Sequence, residues 1–306
     1  MRIVFCGTPE FSVEPLKKLI ANQYNVVAAY SQPDRGVGRG RKIQYSAVKQ
    51  CAIDNNIEVF QPKSLKNQEA IDELKALKPD LLVVVAYGLI LPQAVLDIPS
   101  IDCWNIHASL LPRWRGAAPI HRALLAGDPS SGVGIMQMEA GLDTGAVFVQ
   151  HECMIDKDET AKGLHDKLAK MGAHALIECL DLLNHNLLPT PMKQTSENVT
   201  YAHKLEKTES QVSWNETAEQ IDRKIRTFNP WPGVVANIEG IDFKLWDSQV
   251  VDEESNLMPG EIVVANKNTL IIACSKGQLQ INTLQKPGKK QVQTEQFMPA
   301  MRQWYT

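Results

Sequence analysis

Short apolar runs alternate with stretches of helical spacing along the first half of the chain. Seven runs predict strands, and they lie at 2–6, 25–30, 58–60, 81–86, 103–106, 132–138 and 146–154. Apolar residues three or four apart predict helices between and after them, at 13–22, 46–55, 67–77, 118–126 and 161–184. This alternation predicts an α/β fold with a doubly wound, mostly parallel sheet.

The second half of the chain has a different pattern. Residues 187–207 are rich in Pro, Thr, Ser and Asn without periodicity, and we interpret 190–205 as a linker. A helical stretch at 217–227 follows, and further short apolar runs predict strands at 234–238, 243–247, 260–265, 269–274 and 279–284. Such short strands predict a small β-barrel. A chain of 306 residues usually forms more than one domain, and we expect domains at 1–189 and 206–306.

Composition narrows the class of protein. With 44% hydrophobic and 22% charged residues, the chain is typical of folded globular proteins. No apolar run reaches the length of a membrane span, and the strand-like start leaves no room for a targeting segment. The six cysteines are scattered without a Cys-x-x-Cys pair, which disfavours disulfides and metal sites. We therefore expect a cytoplasmic, monomeric protein with neither a membrane partner nor a metal.

Polar side chains with catalytic potential follow the strand at 103–106. Asn105 and His107 lie two residues apart and therefore share a face of the strand, at the edge where open sheets of this type bind ligands. Asp143 follows in a turn between glycines. An amide, an imidazole and a carboxylate together could polarise a carbonyl and transfer one proton. The alternative is purely structural, with a buried histidine and an ordinary polar turn.

These residues carry a resemblance to a known family. The motif resembles the folate-dependent formyltransferases, which move a formyl group from 10-formyltetrahydrofolate to an amine, and it consists of Asn105-x-His107, Ser109-Leu-Leu-Pro112, Arg115-Gly116 and Gly141-Leu-Asp-Thr-Gly145. Residues 5–11, 32–42 and 228–233 are similar to the members whose acceptor is methionyl-initiator tRNA. The resemblance implies a Rossmann-like formyltransferase domain followed by a small OB-like β-barrel domain.

The resemblance also implies roles for the three polar residues. Attack of an amine on a formyl group places negative charge on the formyl oxygen. Donors from Asn105 and a protonated His107 would stabilise that oxygen, by roughly 3–4 kcal/mol for each well-placed donor. A carboxylate beside a histidine favours the cationic imidazole, and Asp143 could also accept the proton that the amine loses. The division of proton transfer between His107 and Asp143 stays open.

Two binding surfaces follow from the same resemblance. We expect the folate co-substrate to contact the loops after two strands, at Ser109, Leu110, Leu111, Pro112, Tyr87, Leu89 and Ile90. We expect tRNA to contact cationic side chains in two loops, at Arg35, Arg39, Arg41, Lys42, Lys286, Lys289 and Lys290. The alternative for the 32–42 loop is a solvated surface. Its glycines do not complete a dinucleotide fingerprint, because position 41 is Arg.

Two other functions stay open. An enzyme of the same fold could act on a nucleotide-linked amino sugar or a small amine, although it would have no evident use for the Arg-rich loop. A tRNA-binding protein with a decayed site is the second, and the intact residue set argues against it. Residues 206–306 carry 11 Lys and Arg against 13 Asp and Glu, a net charge of −2. This departs from what a tRNA-holding domain leads us to expect.

Overall fold

The computed structural model describes residues 1–37, 42–251, 253 and 255–305. By its internal contacts the chain divides into two units. The first comprises Met1–Ile120, Ser130–Met154 and Leu164–His203, and the second comprises His121–Pro129, Ile155–Gly163 and Lys204–Thr306. Residues 190–203, inside the segment that we interpret as a linker, contact the first unit. The boundaries at 189 and 206 stay a prediction.

The first unit is built on a mixed sheet whose strands connect in the order β10-β9-β7-β6-β1-β2-β5. The five strands from β7 to β5 in this order are parallel, while β9 and β10, at the other edge, are antiparallel to their neighbours. The strands of this unit are β1 (Arg2–Gly7), β2 (Asn25–Tyr30), β3 (Arg35–Val37), β4 (Lys42–Gln44), β5 (Val59–Phe60), β6 (Leu81–Val85), β7 (Asp102–His107), β8 (Arg115–Gly116), β9 (Ser130–Gln137), β10 (Val147–Met154) and β11 (Tyr201–Ala202). Two further ladders join β3 to β4 and β8 to β11.

Helices connect these strands, and local side chains determine where several of them begin. They are α1 (Val13–Ala21), α2 (Ala47–Asp54), α3 (Gln68–Ala76), α4 (Gln93–Leu96), α5 (Pro119–Ala126) and α6 (Ala161–Asn184). Ser46 caps α2 by accepting from the Lys49 amide at 3.1 Å. Thr160 caps α6 in the same way, because its hydroxyl accepts from the Gly163 amide at 3.0 Å. β6 is apolar throughout and buried throughout, as a central parallel strand should be.

The second unit contains an antiparallel sheet and one long helix. Its elements are α7 (Ala218–Phe228), β12 (Val234–Ile238), β13 (Ile241–Val251), β14 (Ile262–Ala265), β15 (Leu270–Ala273), β16 (Gln278–Gln285), β17 (Val292–Gln293) and α8 (Thr294–Phe297). The strands connect as β12-β13-β16-β15-β14, and β17 also pairs with β16. The apolar face of α7 packs Ile221, Ile225 and Phe228 into a core with Phe243 and Leu245. Thr217 and Gln220 form a reciprocal capping box at its start.

The expected fold class is confirmed: a mostly parallel α/β unit is followed by an antiparallel β unit. Several short elements were not expected, among them α4, β17 and the β3–β4 hairpin. Strand β13 is longer than the expected 243–247, because its ladder with β16 continues through register shifts near Asp247. No helix within the described ranges is both long and apolar enough to cross a membrane.

Candidate active site

The candidate site lies at the carboxyl end of β7, a strand paired on both sides within the sheet. Asn105 pairs with Val84 of β6 and with Met136 of β9, so that the strand is held rigidly from either side. Only 9% of Asn105 and 5% of His107 is exposed. The two residues share one face of β7, as expected from their spacing.

The neighbours of His107 assign different roles to its two ring nitrogens. Nε2 lies 2.9 Å from the backbone oxygen of Trp114. Because a carbonyl only accepts, Nε2 carries a proton in either charge state of the ring. Nδ1 faces the Asp143 carboxylate, with 3.7 Å between Nδ1 and Oδ2. Protonation of the ring therefore takes place at Nδ1, on the side of the carboxylate.

Asp143 is held in an unusual backbone conformation. Its φ is +51°, in the left-handed region where Asp is tolerated better than most residues. One carboxylate oxygen, Oδ2, accepts from the Gly116 amide at 2.8 Å. The following Gly145 runs so close to β9 that a Cβ there would collide with the Gln137 carbonyl. The turn is thus more than a polar connection, because it points a carboxylate at His107.

The carboxamide of Asn105 is available to a ligand. In the described part of the chain it makes no side-chain hydrogen bond, although the residue is almost buried. An amide that lacks protein partners is normally satisfied by water or by a bound molecule. Its two N–H donors on the face of β7 that also carries His107 suit a carbonyl oxygen that gains charge.

The segment 114–116, which contains β8, contacts both His107 and Asp143. It is held by residues that the sequence did not mark as functional. Trp114 supplies the carbonyl that orients His107, and Gly116 supplies the amide that binds Asp143. Thr200 holds this strand, because its Oγ1 accepts from the Trp114 amide at 2.9 Å and its carbonyl accepts from the Arg115 amide at 3.0 Å. The Gln194 side chain accepts a hydrogen bond from Arg115 and donates one to the backbone oxygen of Asp143.

Gln194 and Thr200 were missed because they lie in the aperiodic stretch interpreted as a linker. A single Gln or Thr among Pro, Ser and Asn residues carries no signal of function. Their importance follows only from the pairing of β11 with β8, which joins segments distant in sequence.

The residues expected to bind folate lie in different surroundings. Ser109 is buried, and its hydroxyl donates to the Arg113 carbonyl at 2.6 Å. Leu110 and Pro112 are partly buried and Leu111 is buried. The Tyr87 ring is inside the apolar core of the first unit, and Leu89 packs against that core. Ile90 is 73% exposed, which leaves an apolar side chain open to a ligand.

The residues expected to bind tRNA are described only in part. Arg35 lies in β3, and its Nη2 donates to Gln32 Oε1 at 2.9 Å. Arg39 and Arg41 lie outside the described residues; Lys42 begins β4, and its side chain is likewise not described. In the second unit, the turn between β16 and β17 carries three exposed lysines, Lys286, Lys289 and Lys290.

The β3–β4 hairpin borders a cleft of about 270 Å³ in the first unit. Thr8, Gln32, Asp34, Tyr45 and Ser46 are among its lining residues. Burial raises the pKa of Asp34, but hydrogen bonds from the Lys49 ammonium and the Gln61 amide outweigh it and hold the pKa below its ordinary value. The cleft therefore contains an ionised carboxylate whose charge is matched by a neighbouring lysine.

Comparisons with known proteins identify the family to which the chain is similar. Residues 1–180 match the family described as Formyl transferase, and residues 204–302 match its C-terminal domain. The chain is 49% identical over 300 residues to the methionyl-tRNA formyltransferase of Methylococcus capsulatus, covering 98% of this chain and 97% of that protein. It is 48% identical over 302 residues to that of Xanthomonas campestris pv. campestris, covering 99% and 98%.

Solved structures with the same fold are more distant in sequence. WlaRD, a sugar 3N-formyl transferase solved in the presence of dTDP and 5-N-formyl-THF, superposes with a TM-score of 0.66 at 21% identity, covering 95% of this chain and 99% of that one. The methionyl-tRNA formyltransferase from Clostridium thermocellum has a TM-score of 0.55 at 15% identity, covering 90% and 100%. These likenesses show the fold. The family matches and the near full-length identities show more: the chain belongs to the formyl transferase family.

Proposed function

We infer that this chain transfers the formyl group of 10-formyltetrahydrofolate to the α-amino group of methionyl-initiator tRNA, in the cytoplasm and as a monomer. The products are N-formylmethionyl-tRNA, which serves translation initiation, and tetrahydrofolate, whose N10 gains a proton as its bond to the formyl carbon breaks. The observation that carries this inference is the meeting of Asn105, His107 and Asp143 at one strand end, in a chain 48–49% identical to proteins named for this reaction. The amino-sugar alternative has less support, since its named examples are only 21% identical or less.

The chain's own residues supply the groups that formyl transfer needs. Asn105 donates to the formyl oxygen as it gains negative charge during attack by the amine. His107, with its Nε2 proton committed to Trp114, presents Nδ1 to the reaction and to Asp143. Asp143 stabilises the imidazolium and accepts, directly or through water, the proton that the amine loses. Because the side chains of His107 and Asp143 are only 6% and 18% exposed, their interaction acts in a medium that strengthens it.

The residues around Asn105 fit a folate co-substrate, which supplies the activated formyl group when bound. Asn105 has free donors in an almost buried position, and a polar group of this kind orients a ligand in an otherwise apolar site. We propose Ser109, Leu110, Leu111 and Pro112 on one side, and Tyr87, Leu89 and Ile90 on the other, as the folate contacts. Ile90, exposed in the structure, is an apolar surface that a flat ring could cover.

For the tRNA, we propose contacts from the cationic side chains of two loops. They are Arg35, Arg39, Arg41 and Lys42 in the first unit, and Lys286, Lys289 and Lys290 in the second. Phosphate contacts of this kind position a nucleic acid without reading its sequence.

The reaction is tested by offering three acceptors separately to the full-length enzyme with 10-formyltetrahydrofolate. The acceptors are methionyl-initiator tRNA, a nucleotide-linked amino sugar and free methionine, and the products are identified by mass. We expect formylmethionine esterified to tRNA and negligible product from the other two. Preferred formylation of the amino sugar would replace the proposed substrate, and no product with any acceptor would exclude formyl transfer.

A further inference from the structure

The Asp143 turn is tied to a buried arginine through a single glutamine side chain. Gln194 Oε1 accepts twice from Arg115, from Nε at 3.0 Å and from Nη2 at 2.7 Å. Gln194 Nε2 donates to the backbone oxygens of Asp143 and Gly145, both at 2.8 Å. Every hydrogen-bonding atom of this carboxamide is therefore engaged, and it spans two segments that are distant in sequence.

The chemistry of the partners allows only one orientation of the Gln194 amide. A guanidinium can only donate, so the amide oxygen must face Arg115. The amide nitrogen must then face the two carbonyls, which can only accept. Arg115 is 8% exposed, and the described residues offer its guanidinium no ion pair. A neutral amide is thus the acceptor for a nearly buried cation, and turning it would leave both sides unsatisfied.

The position of Asp143 depends on this arrangement. Its left-handed backbone is intrinsically unfavourable and persists only where the surroundings hold it. Gln194 holds the carbonyl of Asp143, and Gly116 holds the carboxylate from the other side. The distance of 3.7 Å between Asp143 Oδ2 and His107 Nδ1 is short enough that a small shift of the turn would change their interaction.

We propose that Gln194, oriented by Arg115, is a positioning residue for formyl transfer that acts through Asp143. The inference rests on the proposed function, since it concerns the same reaction. In this role Gln194 does not touch the reacting atoms. It holds the Asp143 turn so that the carboxylate faces His107 during attack by the amine. A misplacement of about 1 Å in such a site can lower the rate about 100-fold.

Gln194→Glu separates positioning from a merely structural role. The carboxylate still accepts from Arg115 and gains an ion pair with it, so the folded state should keep its thermal midpoint. It places oxygen instead of N–H against the Asp143 and Gly145 carbonyls, which should displace the turn. We expect kcat to fall about 100-fold. KM for methionyl-tRNA and for the folate donor should stay within about twofold, because neither ligand contacts Gln194.

Thr195→Ala, an exposed neighbour, is the matched control and should retain wild-type kcat.

A double-variant cycle with Asp143→Asn shows whether Gln194 acts through Asp143. If it does, adding Gln194→Glu to Asp143→Asn should cost less than about threefold in kcat, because the two losses share one cause. The proposal is overturned if Gln194→Glu retains wild-type kcat or if the two losses multiply. Should the glutamate variant unfold, Gln194→Asn in the same cycle gives the same decision, since its neutral amide is one methylene shorter and should not reach both Arg115 and the Asp143 turn. No formylated tRNA from wild type and Thr195→Ala would instead remove the proposed function, and this inference with it.

Discussion

The two nitrogens of His107 have different tasks, and their neighbours determine which is which. Nε2 is fixed as a donor by the Trp114 carbonyl, so the ring cannot flip without losing that bond. Nδ1 is left beside Asp143, where it can carry or release a proton. In the proposed reaction, any proton transfer by His107 is therefore confined to Nδ1.

The Asn105 carboxamide gives the first prediction. Asn105→Ala removes the amide that we propose binds the formyl oxygen, more strongly in the transition state than in the bound folate co-substrate. We expect kcat to fall by about 10²–10³-fold with little change in folate affinity. Steady-state formylation and equilibrium binding of the folate donor measure the two effects.

Asn22→Ala is the matched control for Asn105→Ala. It also deletes a carboxamide, one that donates to the Lys18 carbonyl at the end of α1, at 2.8 Å, and it should leave kcat unchanged. Equal kcat for Asn105→Ala and wild type would mean that the amide is not an oxyanion donor.

Individual site residues could be predicted from the sequence where a reactive side chain also had a characteristic spacing. Asn105 and His107 follow a buried strand at a spacing of two, and Asp143 lies between glycines. Gln194 has no such mark, because its value depends on a guanidinium 79 positions away. Side-chain partners of this kind cannot be derived from one sequence.

At the scale of elements, the β3–β4 hairpin carries the loop with the most concentrated positive charge. Arg35 pairs with Gln44, and Val37 pairs with Lys42, so the ends of the loop are held by a short ladder. Arg39 and Arg41, between these two strands in the sequence, lie outside the described residues.

Arg39→Ala tests whether this hairpin binds RNA. If the guanidinium makes a bidentate contact, kcat/KM for methionyl-tRNA should fall by roughly 1–3 kcal/mol. Folate affinity serves as the internal control and should not change. Unchanged kcat/KM, together with an unchanged dependence on salt, would return the hairpin to a solvated surface without function.

An ion pair inside the second unit gives a prediction on stability. Arg122 of α5 donates to Glu209 Oε1 at 3.0 Å and also to Oε2. These hydrogen bonds, first among the causes, hold the pKa of Glu209 below its ordinary value of 4.5, although partial burial opposes them. A lowered folded-state pKa stabilises the protein above about pH 4.5, and this contribution is lost as the pH falls through the folded-state pKa.

Arg122→Gln should therefore lower the thermal midpoint at pH 7, by the equivalent of about 1 kcal/mol, since the pair is largely shielded from solvent. The difference between variant and wild type should shrink as the pH falls below 4.5. Thermal unfolding followed by circular dichroism across this range measures both. A difference that is the same at pH 7 and at pH 3.5 would show that Arg122 acts by packing and not through Glu209.

Long periodic elements were predictable from the sequence, and short or irregular ones were not. Helix α6 begins and ends as expected, because Thr160 caps it and apolar residues recur throughout. Helix α4 and strand β17 are too short to show a period. Strand β13 extends past its expected end, because cross-strand pairing with β16 outweighs the polar residues there.

At the scale of the whole molecule, charge is the notable feature. The chain has a net charge of −3, yet its proposed substrate is a polyanion. Binding must then rely on local clusters of cations and not on the overall field. The domain division at 189 and 206 stays a prediction, because it depends on the packing of residues 190–203, which the sequence does not reveal.

Removal of the lysine cluster between β16 and β17 tests this view of tRNA binding. Replacing Lys286, Lys289 and Lys290 together by Gln should raise KM for methionyl-tRNA and leave kcat nearly unchanged. The log–log salt dependence should flatten by about 0.7–0.9 for each phosphate that a lysine no longer neutralises. The control is the double variant Lys75→Gln and Lys78→Gln, whose lysines lie at and just after the end of α3. It should change neither KM for methionyl-tRNA nor the salt dependence. An unchanged salt slope in the triple variant would exclude the cluster from the interface.

His107 lies between Trp114 and Asp143, and we propose that it takes part directly in formyl transfer to methionyl-tRNA. Single-turnover transfer of a radiolabelled formyl group tests this most directly, with wild type and His107→Ala each saturated with 10-formyltetrahydrofolate and methionyl-initiator tRNA. We predict rapid labelling of the tRNA-bound methionine by wild type and a rate about 10²–10³-fold lower for the variant. Equal rates for the two proteins would exclude a direct role of His107 in formyl transfer.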